Sequence, residues 1–179
     1  MSRHEVLKKI LQLAPCGSGG PEPDPYDGVL WLSDGFNPPT IVSNPAGDYD
    51  YSTGSWVEVH AQNCPGLTGL HLNTNTGLGT LDIQDCPAMA RLNVNDTSLA
   101  VLDLSGMATV MGDVFATVGT ALVSVTGNQT AFGILALYSN ENLTSITLNS
   151  LALADSINVS ACGALPALSL PSLTDILGG

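Results

Sequence analysis

The sequence predicts an all-β solenoid, and three observations carry that expectation. Apolar residues recur as L-x-x-L-x-L at a spacing of about eleven residues from Trp56 to about Leu170. The last two apolar positions of each unit alternate, as a short strand with one buried face requires. An eleven-residue unit cannot bury its own leucines, so the units must stack to share one core.

The units follow in order. Trp56-Val59-Ala61 opens the register and leads to Leu67-Leu70-Leu72, Leu78-Leu81-Ile83, Met89-Leu92-Val94 and Leu99-Leu102-Leu104. Met111-Val114-Ala116 and Leu122-Val125-Gly127 are weaker copies. The pattern then returns as Phe132-Leu135-Leu137, Leu143-Ile146-Leu148, Ala154-Ile157-Val159 and Leu165-Leu168-Leu170. From Leu67 onward the first positions are 11, 11, 10, 12, 11, 10, 11, 11 and 11 apart. Two units per coil put a strand on each of two sides. Each coil climbs about 4.8 Å, so roughly five coils make a rod of about 25 Å.

Many units also carry a polar or cysteine residue at the turn: Asn75, Cys86, Asp96, Asn140 and Cys162. Amides placed there are expected to bond the backbone of the neighbouring coil, whose groups would otherwise be buried unpaired. The stretch from Leu67 to Asn75 then reads LxxLxLxxN, and that from Leu78 to Cys86 reads LxxLxIxxC. This resembles the leucine-rich repeat. The likeness is to the nested bacterial type, in which both halves of a repeat of about 22 residues carry the strand consensus. It covers roughly residues 56–176. It implies a short leucine-rich-repeat β-solenoid and a binding scaffold, and leaves the partner open.

Upstream of the repeats the composition changes twice. Residues 1–15 place Val6, Leu7, Ile10 and Leu11 at helical spacing, with Arg3, Lys8 and Lys9 elsewhere on the wheel. That predicts a short N-terminal amphipathic helix, too short to stand alone, whose apolar stripe is a candidate anchor onto another surface. The apolar run after the lysines is too short for a signal core. Residues 16–25 form a Gly/Pro linker. Residues 26–55 are expected to be an aromatic-rich cap or docking segment. Six of the nine aromatic residues fall between Tyr26 and Trp56, with a strand at 28–32, a turn at 33–35 and a strand at 40–42. Residues 56–179 complete the solenoid. Leu173, Ile176 and Leu177 bring no charged cap to the last coil, which is expected to meet another chain.

Composition narrows the function. Sixteen acidic residues face four Lys and Arg, giving a net charge of −12. Beyond Arg91 there is no lysine or arginine, which argues against nucleic acid and anionic lipid as partners. No run of eighteen apolar residues exists to insert in a membrane. The four cysteines show no CxxC and no metal spacing with the three histidines, so no metal is expected. Cys64 and Cys86, 22 residues apart and each followed by proline, are expected as buried thiols filling one turn pocket. Asp82 and Asp103 are expected as solvated carboxylates. Asp24/Asp27 and Asp48/Asp50 do not match a calcium loop.

No catalytic motif is present, and neither His60 nor His71 has an evident nucleophile or carboxylate partner. No cofactor is expected. Thr80, Thr126 and Thr147 give one face some likeness to ice-binding proteins, but Asp82, Asp103 and Ala167 break the array. On the other face Phe115 and Tyr138 are candidate recognition residues, outward aromatics where other coils place polar groups.

The expectation is a non-enzymatic structural or recognition subunit of a large assembly. A short anchor, a linker and an extended β-module match the plan of bacteriophage virion proteins, as capsid decoration or tail fibre. Partners would be capsid or tail proteins or further copies of the chain, with a host-surface ligand at the displayed face. The alternative is a bacterial cell-surface or secreted adhesion module.

Overall fold

Leucine columns and turn amides wind this chain into a β-solenoid of about six turns. The structure, a computed structural model, describes residues 27–177; the expected N-terminal helix and linker lie outside them. The strands in chain order are β1 (Val29–Ser33), β2 (Thr40–Ser43), β3 (Ala46–Asp50), β4 (Glu58–Gln62) and β5 (Gly66–His71). β6 (Thr80–Gln84), β7 (Arg91–Asn93), β8 (Val101–Asp103), β9 (Val110–Met111) and β10 (Val114–Phe115) follow. The last are β11 (Ser124–Thr126), β12 (Ala131–Ala136), β13 (Ser145–Thr147), β14 (Leu153–Asn158) and β15 (Asp175–Ile176). Among the described residues there is no helix.

One side of the solenoid is an eight-stranded sheet in the order β3-β5-β7-β10-β12-β14-β15, with β9 beside this path on β12. The pairings along it are parallel, and equivalent apolar residues stand level: Leu70, Leu92, Val114, Leu135 and Ile157. The other side is split into β2-β1-β4-β6 and β8-β11-β13. The split falls where Gly106 crosses the preceding coil. Its carbonyl accepts the Cys86 N–H at 2.8 Å, and a Cβ there would collide with the Ile83 carbonyl. The chain passes too closely at this point for anything but glycine.

Between the two sides the repeat leucines form one core. Leu67, Leu70, Leu72, Leu78, Leu104, Leu137, Leu143 and Leu148 are wholly buried. The expected first positions from Leu67 to Ala154 are all buried, so the eleven-residue register holds through the middle of the chain. It extends further than Trp56: β3, which carries no leucine, already pairs parallel with β5. With β15 at the far end, the coil count rises above the expected five.

The turns are built alike on the eight-stranded side. Thr74, Asp96, Val118, Ser139 and Ala161 each take a left-handed backbone, with φ between 53° and 64°. Except at Gly119, the next residue points its side chain inward. Asn75 Nδ2 donates to Leu72 O at 2.7 Å within its own coil and to Tyr51 O at 3.1 Å in the one before. Its Oδ1 accepts the Trp56 N–H at 3.1 Å. Asn140 repeats the arrangement, donating at 2.6 Å to both Leu137 O and Ala116 O and accepting the Gly119 N–H at 3.0 Å. Cys162 donates its thiol to Leu137 O at 3.1 Å.

The expected Asp96 is not in this column. It is exposed and holds the left-handed position, and Thr97 takes the inward slot with its hydroxyl on Val94 O at 2.9 Å. The unit before Leu99 is one residue short, which moves the inward slot along by one. On the opposite side Cys64, Cys86 and Gln129 fill the matching slots, Gln129 donating to Leu104 O at 2.7 Å.

Replacing Asn140 by Ala strands the Ala116 carbonyl and the Gly119 N–H and leaves Leu137 O with the Cys162 thiol alone. At 1–3 kcal/mol for each unsatisfied group, the loss should be about 2 kcal/mol or more, read as a lower denaturant midpoint at unchanged slope. Val118 is a β-branched residue at φ 60°, a conformation costing roughly 1–2 kcal/mol. Val118→Asn should raise stability by about 1 kcal/mol, a Tm gain of roughly 2–4 °C.

Candidate functional site

Outward side chains differ sharply between the two sides. On the split side they are mostly polar, with Val101 of β8 and Ile41 of β2 as exposed apolar exceptions. Glu58, His60 and Gln62 of β4 stand level with Thr80, Asp82 and Gln84 of β6. His60 Nδ1 lies 3.5 Å from Asp82 Oδ2, and Gln84 Nε2 donates to Asp82 Oδ1 at 2.9 Å. Trp31 of β1 meets the His60 ring edge-on at 5.3 Å. Further along, Ser124 and Thr126 stand level with Ser145 and Thr147.

The first half of the eight-stranded sheet is also polar. Asp48 Oδ1 accepts the Thr68 hydroxyl at 2.6 Å and its Oδ2 takes Arg91 at 2.7 Å, linking β3, β5 and β7. Asp50 stands level with His71. The side chain and N–H of Ser52, and then the His71 charge, lower the Asp50 pKa. These two carboxylate–histidine pairs escaped the sequence reading, although coil spacing announces both: Asp50 precedes His71, and His60 precedes Asp82, by one coil.

From β9 onward the outer face of the same sheet adds exposed apolar residues among its polar ones. Val110 and Val118 are 62% and 52% exposed, and Leu153, Tyr138 and Ile134 are 40%, 38% and 37% exposed. Val110, Ala131 and Leu153 stand level in β9, β12 and β14. Phe115 is half-buried, level with Ala136 and Asn93. Tyr138 lies two residues past Ala136, and its carbonyl accepts the Val118 N–H at 3.2 Å. Phe115 and Tyr138 thus occupy different positions along the coil, but on one patch. The sequence reading missed Val110, Ile134 and Leu153, which look like core residues until the register shows them facing outward. These exposed apolar side chains, set among Asp113, Asp155, Ser156 and Asn158, form a mixed patch on the later strands. The candidate anchor residues Val6, Leu7, Ile10 and Leu11 lie outside the described residues.

The remaining features offer little chemistry. An open groove of about 320 Å³ runs along the turns beside Asn63, Pro65, Asp85, Pro87, Ser105 and Met107. Among the described residues no group of three His, Cys, Asp or Glu could hold a metal ion. Cys64 and Cys86 are buried free thiols in successive coils. Burial, then the Cys86 thiol beside it, pushes the Cys64 pKa up to about 12. Burial likewise raises Cys86. Thiols so protonated are poor nucleophiles.

No family model, no curated protein and no solved structure matches the chain.

The thiols set a limit at high pH. A pKa raised in the fold means the folded state holds the proton more tightly. That contribution is complete below the ordinary thiol value of 9.0 and is lost as pH climbs towards about 12. Denaturation midpoints should fall across this window. Cys64→Ala should make the fall shallower without abolishing it, because burial also raises Cys86 and Tyr51.

Proposed function

We propose that this protein is a non-enzymatic recognition subunit of a larger assembly, with the apolar patch on the eight-stranded sheet as its contact face. The observation that supports this is the change along that one sheet. Asp48, Asp50, His71 and Arg91 dress its first strands, and Val110, Phe115, Ile134, Tyr138 and Leu153 join Asp113, Asp155 and Asp175 on the later ones. Folding does not require exposed apolar side chains in the outer row of a solenoid sheet, and a partner surface does.

The repeat consensus fits a leucine-rich-repeat scaffold of the nested bacterial type, which agrees with a binding role. Residues 26–55 serve as its cap in this reading. β1 lies antiparallel on β4 and buries Leu30 and Leu32, while Tyr49 stacks on Tyr51 at 6.1 Å and Tyr51 meets Trp56 edge-on at 5.9 Å. Residues 1–15 supply a second contact, the anchor, through Val6, Leu7, Ile10 and Leu11. Anchor, linker and rigid β-module together suit a bacteriophage virion protein, in capsid decoration or a tail fibre.

The test is co-sedimentation with particles from the source that encodes the chain. The full chain should travel with the particles. A triple Ile134→Ser, Tyr138→Ser, Leu153→Ser variant should stay folded by circular dichroism and remain in the supernatant. Undiminished sedimentation of that variant would remove the patch from the reading. Protein found instead on the envelope of intact cells, and removed from it by added protease, would favour a cell-surface adhesion module.

A further inference from the structure

Carboxylates outnumber the one cation, Arg91, around the apolar patch. Asp113 lies against it, its Oδ1 accepting the Ile134 N–H at 3.2 Å. Asp155 is exposed in β14, and Asp175 stands level with Leu153 in β15. The described residues contain one lysine or arginine, Arg91, and Asp48 holds it. A surface that matched this patch would be apolar in the middle and cationic at its margins.

The chain carries such a stretch outside the described residues. Residues 3–11 hold Val6, Leu7, Ile10 and Leu11 at helical spacing, together with Arg3, Lys8 and Lys9, against the single acid Glu5. These three are all the cations the chain has besides Arg91. Reach is ample. Residues 12–26, extended, span roughly 50 Å, and β12 lies four strand spacings from β3, roughly 19 Å along the axis.

We infer that residues 3–11 dock on the patch of their own chain in the free subunit, apolar stripe against Ile134 and Leu153 and lysines towards Asp113, Asp155 and Asp175. This rests on reading the patch as a contact face. Docking covers both apolar surfaces at once, and an assembly partner that displaces the segment uncovers anchor and patch together. Premature association of free subunits is thereby suppressed.

The chain offers an unusually clean test, because Lys8 and Lys9 are its only lysines. Carbodiimide coupling joins amines to carboxylates without a spacer. In the intact chain at low salt, cross-links from Lys8 and Lys9 should map to Asp113, Asp155 and Asp175 within the monomer. Their yield should fall severalfold at about 0.5 M salt, where screening acts over roughly 4 Å. A Leu7→Ser, Ile10→Ser variant, which leaves the solenoid untouched, should lose them equally. Cross-links to Asp34, Glu58 or Asp82 on the other side, or spread evenly over all carboxylates, would overturn the inference. So would cross-links confined to covalent dimers, which would assign the segment to a second copy. If the patch variant still loses its particles while the lysines couple elsewhere, the inference fails and the contact-face reading stands.

Discussion

Everything in this molecule depends on closing a coil every 21 or 22 residues without leaving turn amides and carbonyls dry. Parallel strands pair cheaply along their length, but each coil must bend twice and bring those bends into a shared interior. On the eight-stranded side the chain solves this in one recurring way. A left-handed residue reverses the backbone, and the next side chain turns inward to bond its own coil and the one before it. The leucine columns stack because the turns hold the coils level. Asn75 and Asn140 do this with three bonds each, and Thr97 and Cys162 with weaker hydroxyl and thiol donors. Gly119 has no side chain to give. A Cβ there would sit 2.6 Å from Asn140 Oδ1, so the asparagine of the next coil fills its place.

How much of this could be read in the sequence follows from the same logic. The leucine register was legible because burial selects residue type directly, and Asn75, Cys86, Asn140 and Cys162 were legible as a periodic mark. Thr97 was hidden by a one-residue shortening that left Asp96 at the expected spacing. β3 was hidden because Ala46–Asp50 is an edge strand rich in aspartate and without leucine. The patch was only half visible. Aromatic residues announce themselves, but Val110, Ile134 and Leu153 share the chemistry of the core, and only the register places them outside. Spacing one coil apart would have revealed Asp50 with His71 and His60 with Asp82, because the fold converts sequence distance into level neighbours.

The surface that results is electrically one-sided. Thirteen carboxylates stand among the described residues against Arg91 alone, and they lie at turns and outer strand positions in water, where mutual repulsion is weak. That charge keeps molecules apart, so any durable contact must come from apolar area. The eight-stranded sheet concentrates that area on its later strands, beyond the Asp48–Arg91 link.

That link has a further consequence. Arg91 is the one residue between positions 27 and 177 after which a trypsin-like protease can cut, and its side chain is held by Asp48 across the neighbouring strand while its backbone pairs within the sheet. A digestive environment rich in such enzymes meets no ready scissile bond in the solenoid, whereas Arg3, Lys8 and Lys9 lie outside it. Endurance under proteolysis, for this chain, is written in the near-absence of two residue types and in the strand that guards the one exception.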